Sequence, residues 1–541
     1  MPYDCFVLDR LPPQAQWPNR LDNLPAAVAG QSVNAIQTLW GRAEQAGWMS
    51  RPLLRSEQEI LTYAQTRARV DRLARVLTHS LGLQPGQRVL LRGANSIALA
   101  VGWLAVVQAG LVAVCTMPLL RAKELGDIID KSQPVIALCD ARLLEELETA
   151  RAGHPTLQRI LSWGSPQGPD ALDNLLDRSD QPRVDADALS ELPDDPIALL
   201  AFTSGTTGTP KAAVHSHRDL LAACRAWPDH VLQARPDDIV MGSPPLAFTF
   251  GLGGLLLFPL WAGASVYYPD GVYTPSRMVE LMAQVGCTVC YTAPTFYRQM
   301  APLIQQHPVP TLRISVSAGE ALPDATRQLW KHASGLEMID GIGATEMFHI
   351  FISAAGADVR AGSIGKVVPG YQARVVDDQG QELPRGTVGR LAVIGPTGCR
   401  YLDDSRQTNY VRHGWNYPGD TFMQDEAGYF YYQARDDDMI ITAGYNVGGP
   451  EVEDALLQHP AVAECGVVAK PDAERGMIVK AYCVLRAGHP ASPELVKQLQ
   501  DHVKSHLAPY KYPREIEFLA QLPRTETGKL QRFRLRQMAQ A

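Results

Sequence analysis

The run Ile197-Ala-Leu-Leu-Ala-Phe202 passes without a break into Thr203-Ser-Gly-Thr-Thr-Gly-Thr-Pro-Lys211. The first six residues are apolar throughout, the pattern of a strand buried on both faces. The next nine are small, hydroxyl-bearing or cationic. Gly205 and Gly208 let the backbone approach a ligand closely, the hydroxyls donate, and Lys211 adds a point charge. A lone Gly-rich stretch reads as a polar surface loop. Its position directly after a buried strand favours a loop that binds phosphate. It is not a P-loop: Lys211 stands between Pro210 and Ala212, where that motif requires Gly-Lys-Ser/Thr.

Upstream of the loop the chain alternates. Thr62-Tyr-Ala-Gln65 reads as a capping box that opens an amphipathic helix to about residue 81. Residues 83–87 form a turn, 88–92 a short strand, 98–109 a buried helix and 111–115 the next strand. Such alternation predicts a mostly parallel sheet covered by helices on both faces. A polar, Pro-containing stretch at 177–196 leads into the strand quoted first. The pattern is expected to persist to about residue 370. Beyond it, Gly- and Pro-rich turns separate short strands at 373–376, 390–394 and 429–432, as in a β-barrel or sandwich. The tail shows strands at 462–469 and 480–485 and a helix at 494–507. The expected fold class is α/β. A large N-terminal domain (1–436) of mostly parallel, helix-covered sheets carries a β-barrel-like subdomain, and a small α+β C-terminal domain follows (437–541).

The composition fits this size. At ~150 residues per folding unit, 541 residues suggest three or four units, and 46% apolar with 20% charged residues is ordinary globular usage. Fifty basic against 57 acidic residues, a net charge of −7, argue against a broad nucleic-acid surface but allow a local basic pocket. Nine scattered Cys read as reduced thiols of a cytoplasmic protein. Cys287 and Cys290 form a CxxC with no second pair at zinc spacing, so a buried strand is favoured over metal or redox chemistry. The start has early acids and no long apolar core, so no secretory signal is expected. No charge occurs between Asp238 and Asp270, a length that would admit a spanning helix. Five glycines, together with Pro244, Pro245 and Pro259, interrupt it, which predicts a buried helix and strand and no membrane span.

Four further motifs follow the loop in order: Gly341-Ile-Gly-Ala-Thr-Glu346, Tyr417-Pro-Gly-Asp420, Ala434-Arg-Asp-Asp-Asp-Met-Ile440 and Pro523-Arg-Thr-Glu-Thr-Gly-Lys529. With the loop they resemble the signatures of the adenylate-forming superfamily, which includes acyl-CoA synthetases, peptide-synthetase adenylation domains and firefly-type luciferases. The resemblance implies roles. Thr203, Ser204, Gly205, Thr206, Thr207 and Lys211 would bind ATP, with Thr206 and Lys211 on its phosphates. Ala318, Gly319 and Glu320 would flank adenine beside Asp340, Gly341 and Ile342. Asp420 would hold the ribose, assisted by Arg435. Thr345 would contact the α-phosphate and Glu346 would hold Mg²⁺. Lys529 would bridge the α-phosphate and an acid's carboxylate, and Asp437 would be the hinge of a mobile C-terminal domain. These residue types suit joining two anions, where orientation and neutralised charge lower the barrier.

Within the superfamily, Asp340-Gly-Ile-Gly-Ala-Thr-Glu-Met-Phe-His-Ile-Phe351, Phe248-Thr-Phe-Gly-Leu-Gly253 and the N-terminal Leu11-Pro-Pro, Gln16-Trp-Pro and Leu24-Pro resemble aryl-CoA ligases, especially those for benzoate and 2-aminobenzoate (anthranilate). Ile342 stands where many members place an aromatic ring. By position, Phe248, Thr249, Phe250, Ala318, Gly343, His349 and Ile350 would line the acid pocket. Phe250 and Ile350 offer apolar faces, and small Ala318 and Gly343 leave room for a ring. His349 is either a satisfied core histidine or a partner for a ring substituent or the carboxylate. Gly444 and Tyr445 would contact coenzyme A, favoured as acceptor because the chain stops at Ala541 without a carrier domain. The expected reaction is ATP-dependent formation of an aryl-CoA thioester from small-molecule substrates, by a cytoplasmic monomer or homodimer. The alternatives are a stand-alone enzyme loading a carrier protein, a fatty-acyl-CoA ligase, and a nucleotide-binding regulatory protein without turnover.

Overall fold

The computed structural model describes residues 2–22, 33–164, 170–177, 193, 195–203, 210–271, 273–435, 438–442, 445–472, 476–508, 510–524 and 529–540. The capping box is present: Thr62 accepts from the Gln65 amide, Gln65 answers at the Thr62 amide, and helix α1 (Tyr63–Arg75) follows, continued by a wider turn at Val76–Ser80. Strand β1 (Arg88–Arg92) leads into helix α2 (Ile97–Gln108). Ser96 caps α2 by accepting from the Leu99 amide, and the helix is apolar and buried all round. Strands β2 (Val112–Thr116), β3 (Ile136–Asp140), β4 (Arg159–Trp163) and β5 (Ile197–Thr203) complete a parallel set. Strand β6 (Lys211–Ser216) returns antiparallel to β5. The sheet order is β4-β3-β1-β2-β5-β6. Because Thr203 pairs with Lys211, the quoted loop is closed at its base by one rung of that hairpin. The loop itself, with Ser204, Gly205, Thr206 and Thr207, lies outside the described residues.

A second, nine-stranded sheet is built on β7 (Ile239–Gly242), β8 (Ser265–Tyr267), β9 (Val289–Thr292) and β10 (Ile314–Ser317), all parallel. Helix α3 (Asp324–Ser334) then leads to β11 (Met338–Gly343), β12 (Ile350–Ala354) and β13 (Lys366–Val367). β11 is parallel to β10, whereas β12 and β13 join antiparallel. The βα alternation therefore ends near residue 343 rather than near 370. The charge-free stretch 238–270 becomes β7, a buried helical segment from Thr249 to Ala262 with one wide turn, and β8. Cys290 lies in β9 and Cys287 just before it, both buried, and burial pushes the Cys290 thiol up to about 12, as the core reading expects.

A third, antiparallel sheet of six strands corresponds to the expected barrel-like part. It contains β14 (Gln372–Val376), β15 (Val388–Ile394), β16 (Asp420–Gln424) and β17 (Phe430–Arg435). The tail forms a smaller α+β unit. It holds the ribbon β18 (Ile440–Thr442) and β19 (Tyr445–Val447), helix α4 (Gly449–Leu457), strands β20 (Val462–Asp472) and β21 (Gly476–Leu485), helix α5 (Pro493–His506), strand β22 (Glu515–Phe518) and helix α6 (Arg532–Gln540). It has its own core of Val452, Leu456, Val467, Leu499 and Val503, separate from the large cluster spanning the three sheets before it. Among the described residues no helix is long and apolar enough to cross a membrane.

Candidate active site

Three sheets and the C-terminal unit each deliver part of one polar cleft. At the base of the Gly-rich loop, Lys211 lies 3.6 Å from Glu346. Between them stands Tyr401, whose hydroxyl accepts from Lys211 Nζ at 2.9 Å and donates to Glu346 Oε1 at 2.5 Å. Tyr401 reaches this place because residues 400–402 add to the edge of β6: Val214 donates to the Arg400 carbonyl and Leu402 to the Ala212 carbonyl. The Thr203 hydroxyl is buried with no partner among the described residues.

The turn after β11 is strained. Phe348 is fully buried at φ +70° and ψ −48°, uncommon for a bulky residue. The ring of His215 packs edge-on against Phe348 at 5.4 Å, and its Nε2 bonds the Thr345 carbonyl at 2.8 Å. Burial drives the His215 pKa down to about 3, so its ring is neutral and Nε2 carries the donated hydrogen. This clamp holds the turn bearing Thr345 and Glu346. Asp340, in the buried part of the same strand, accepts from the Gly341 amide at 2.8 Å. Burial pushes its pKa up to about 6, opposed by Arg327.

Asp420 and Arg435 pair across β16 and β17, with Nη1 at 3.2 and 3.4 Å from the two carboxylate oxygens. Gly319, at φ +89°, turns the chain after β10, a conformation suited to glycine. A Cβ there would lie 3.6 Å from Lys529 Cε and 3.8 Å from Nζ, so Lys529 rests against the Ala318–Gly319–Glu320 turn. Desolvation lowers the Lys529 pKa, Glu320 opposes this and Arg435 adds to it, although the residue keeps solvent contact. Glu320 is fixed by the Thr295 hydroxyl at 2.6 Å. Tyr410, whose ring meets Tyr401 at 5.8 Å, feels the charges of Glu346, Asp420 and Arg435 together. The predicted residues Lys211, Ala318, Gly319, Glu320, Thr345, Glu346, Asp420, Arg435 and Lys529 thus share one neighbourhood. Asp437 and Gly444 lie outside the described residues, as does the side chain of Tyr445.

Beside the turn is an aromatic box. His349 is buried, with its ring 4.5 Å from Phe258, 5.3 Å from Trp227 and 5.6 Å from Phe250. Neither ring nitrogen has a partner of good geometry among the described residues; the backbone of Phe250 is near but outside hydrogen-bond geometry. Burial lowers the His349 pKa to about 3. Trp227 Nε1 and the Tyr291 hydroxyl are likewise buried and unpartnered. Thr249 and Ile350 are buried and Phe248, Phe250 and Ile342 half-buried. Gly343 is held to glycine by its own surroundings. A Cβ there would meet the His349 carbonyl at 2.7 Å and the Ile350 nitrogen at 2.9 Å. Its missing side chain makes room for the neighbouring backbone, where the β11–β12 register shifts. Tyr401, His215, Trp227 and Tyr291 were not legible as site residues. Each sits in a core-like sequence pattern, and only tertiary pairing or unmet hydrogen bonding singles it out.

Residues 42–400 match the AMP-binding enzyme family and 451–529 its C-terminal domain. The benzoate–CoA ligase of Thauera aromatica is 35% identical over 95% of this chain and 97% of its own length. The 3-hydroxybenzoate–CoA ligase of Aromatoleum sp. (strain CIB) is 32% identical over 94% and 98%. The crystal structure of the anthranilate CoA ligase AuaEII in complex with anthranoyl-AMP superposes with a TM-score of 0.89 at 33% identity, covering 96% of this chain and 99% of that one.

Proposed function

The chain belongs to the AMP-binding enzyme family of the adenylate-forming superfamily, an acid–thiol ligase by class, and from that premise we propose that it converts an aromatic carboxylic acid, ATP and coenzyme A into an aryl-CoA thioester, AMP and pyrophosphate. The observation that carries this reading is the convergence of the Lys211–Tyr401–Glu346 triad, the Asp420–Arg435 pair and Lys529 on the turn 318–320. Asp420 receives the ribose hydroxyls, and Arg435 keeps its carboxylate aimed. Lys211 and the loop it closes take the β- and γ-phosphates. Thr345 and Lys529 address the α-phosphate, where the acid's carboxylate attacks and pyrophosphate leaves. The C-terminal domain then turns about Asp437, withdraws Lys529, and brings the Gly444–Tyr445 segment to the thiol, which displaces AMP from the acyl carbon.

Glu346 fits a hard divalent cation. It is a buried carboxylate with one oxygen engaged by Tyr401, and Mg²⁺ sites commonly join one or two carboxylates to substrate phosphates. Bound there, Mg²⁺ would neutralise phosphate charge. Tyr401 and Lys211 hold the carboxylate in position for it.

The acid we propose is 2-aminobenzoate or a related benzoate. Phe250, Phe258 and Ile350 supply apolar walls for a flat ring, and three polar groups without a partner among the described residues, on His349, Trp227 and Tyr291, support a ring that carries a polar substituent. The test is CoA-dependent AMP formation across benzoate, its 2-amino and hydroxy derivatives, and short and medium fatty acids. Substituted benzoates are expected to lead; a large preference for aliphatic acids would overturn the aromatic assignment.

A further inference from the structure

The C-terminal unit touches the large domain at more places than Lys529. Helix α3 begins after Pro323, which has no side-chain acceptor, and no side chain of its own N-cap bonds the helix start. The Pro323 carbonyl takes the Thr326 amide at 3.0 Å and the Arg327 amide at 3.1 Å, which leaves the Asp324 and Ala325 amides as the ones that need a partner from outside the helix. The partner comes from the other domain: the Ala325 amide donates to Asp454 Oδ1 at 3.1 Å. Asp454 sits on α4 next to Glu453, and consecutive helical residues point about 100° apart. Glu453 faces inward, where it pairs with Arg532 and accepts from the Val467 amide at 2.7 Å. That lock fixes α4 within its own domain and leaves Asp454 facing α3.

The surroundings are polar on both sides. Arg298 bonds the Thr326 hydroxyl on the α3 side at 3.5 Å and senses Arg486, Glu464 and Asp454. Arg524 bonds Glu464 at 2.7 Å and reaches Glu320 of the turn under Lys529 at 3.9 Å. Asp324 lies close enough to Asp454 to oppose the contact electrostatically.

We propose that Asp454 is a positioning residue for the first half-reaction: by capping α3 from across the domain boundary, it holds the C-terminal domain in the orientation that seats Lys529 on the 318–320 turn. The inference rests on the two-step reading above. When the domain turns away, the α3 amides return to water and Asp454 is released, so the contact favours adenylation and has no part in thiol transfer. A carboxylate at a helix N-terminus also gains from the helix dipole.

The experiment compares the full chain with Asp454→Ala and Asp454→Asn in two assays: acid-dependent pyrophosphate release in a single turnover, and release of AMP by CoA from supplied 2-aminobenzoyl-AMP. Asp454→Ala should slow the first about tenfold, the size of a lost N-terminal acceptor. The second should stay within about twofold, which also shows that the variant is folded. Asp454→Asn keeps an acceptor oxygen and should recover to within about threefold of wild type. An unchanged first step, or equal loss in both, overturns the inference alone. A wild-type chain that releases no pyrophosphate with any acid overturns the two-step reading and this inference with it.

Discussion

Replacing Tyr401 by Phe removes one oxygen and leaves the ring, with its contacts to Tyr410 at 5.8 Å and to the Lys211 ammonium at 4.9 Å. What goes is the bridge between two charged groups: the bond from Lys211 at 2.9 Å and the bond to Glu346 at 2.5 Å. Hydrogen bonds to charged groups are each worth ~1.5–3 kcal/mol. Part of that is recovered, because Lys211 and Glu346 already stand 3.6 Å apart and can close directly. A net loss of ~1.5–2 kcal/mol remains, about 10–30-fold in adenylation kcat/KM for ATP. The assay is single-turnover, acid-dependent pyrophosphate release at varied ATP, run beside CoA attack on supplied aryl adenylate. After pyrophosphate has left, Lys211 has no phosphate to hold, so the second step should be unaffected. Adenylation within twofold of wild type, or equal losses in both steps, would refute the assigned role of this triad.

Lys529→Ala should abolish most adenylation, by about 10²–10³-fold for loss of one preorganised charge, while thioester formation from supplied adenylate continues; parallel loss in both assays would contradict the division of labour. His349→Ala should lower kcat/KM for 2-aminobenzoate about tenfold more than for benzoate, the worth of one buried hydrogen bond, and an unchanged ratio counts against the substituent role. Acid should unfold the large domain early. His215 and His349 are held down to about 3 and His217 to about 4 by burial, so each gives stability above its ordinary pKa that fades as pH falls toward the folded value. Asp340, raised to about 6 by burial, binds its proton in the folded state first and offsets one histidine. Unfolding then takes up about two protons per molecule near pH 5, a fall of roughly 2–3 kcal/mol per pH unit; urea titrations at neutral and mildly acid pH with equal midpoints would contradict it.

Local chemistry made much of this fold readable. Thr62 and Gln65 announced a helix start, and the all-apolar 197–202 announced a doubly covered strand next to a phosphate-type loop. Short-range patterns say nothing about which distant segment completes a site. Tyr401 reaches Lys211 across 190 residues of sequence, by strand addition at the β6 edge that no periodicity encodes. Trp227 and Tyr291 look like core aromatics, and only their unmet polar atoms set them apart. Gly343 read as space for a ring; that the backbone of His349 and Ile350 also requires a glycine there was not legible in the sequence. Asp454 reads as one more acid on a helix until the facing helix is seen to begin at a proline that cannot cap it.

The most direct measurement is a crystal structure of the full chain grown with a non-hydrolysable ATP analogue and 2-aminobenzoate. The ribose should lie on Asp420, the α-phosphate between Thr345 and Lys529, and the acid's ring against His349. Nucleotide or acid bound elsewhere, with the Lys211–Tyr401–Glu346 triad and the Asp420–Arg435 pair undisturbed, would contradict the proposed function at its root.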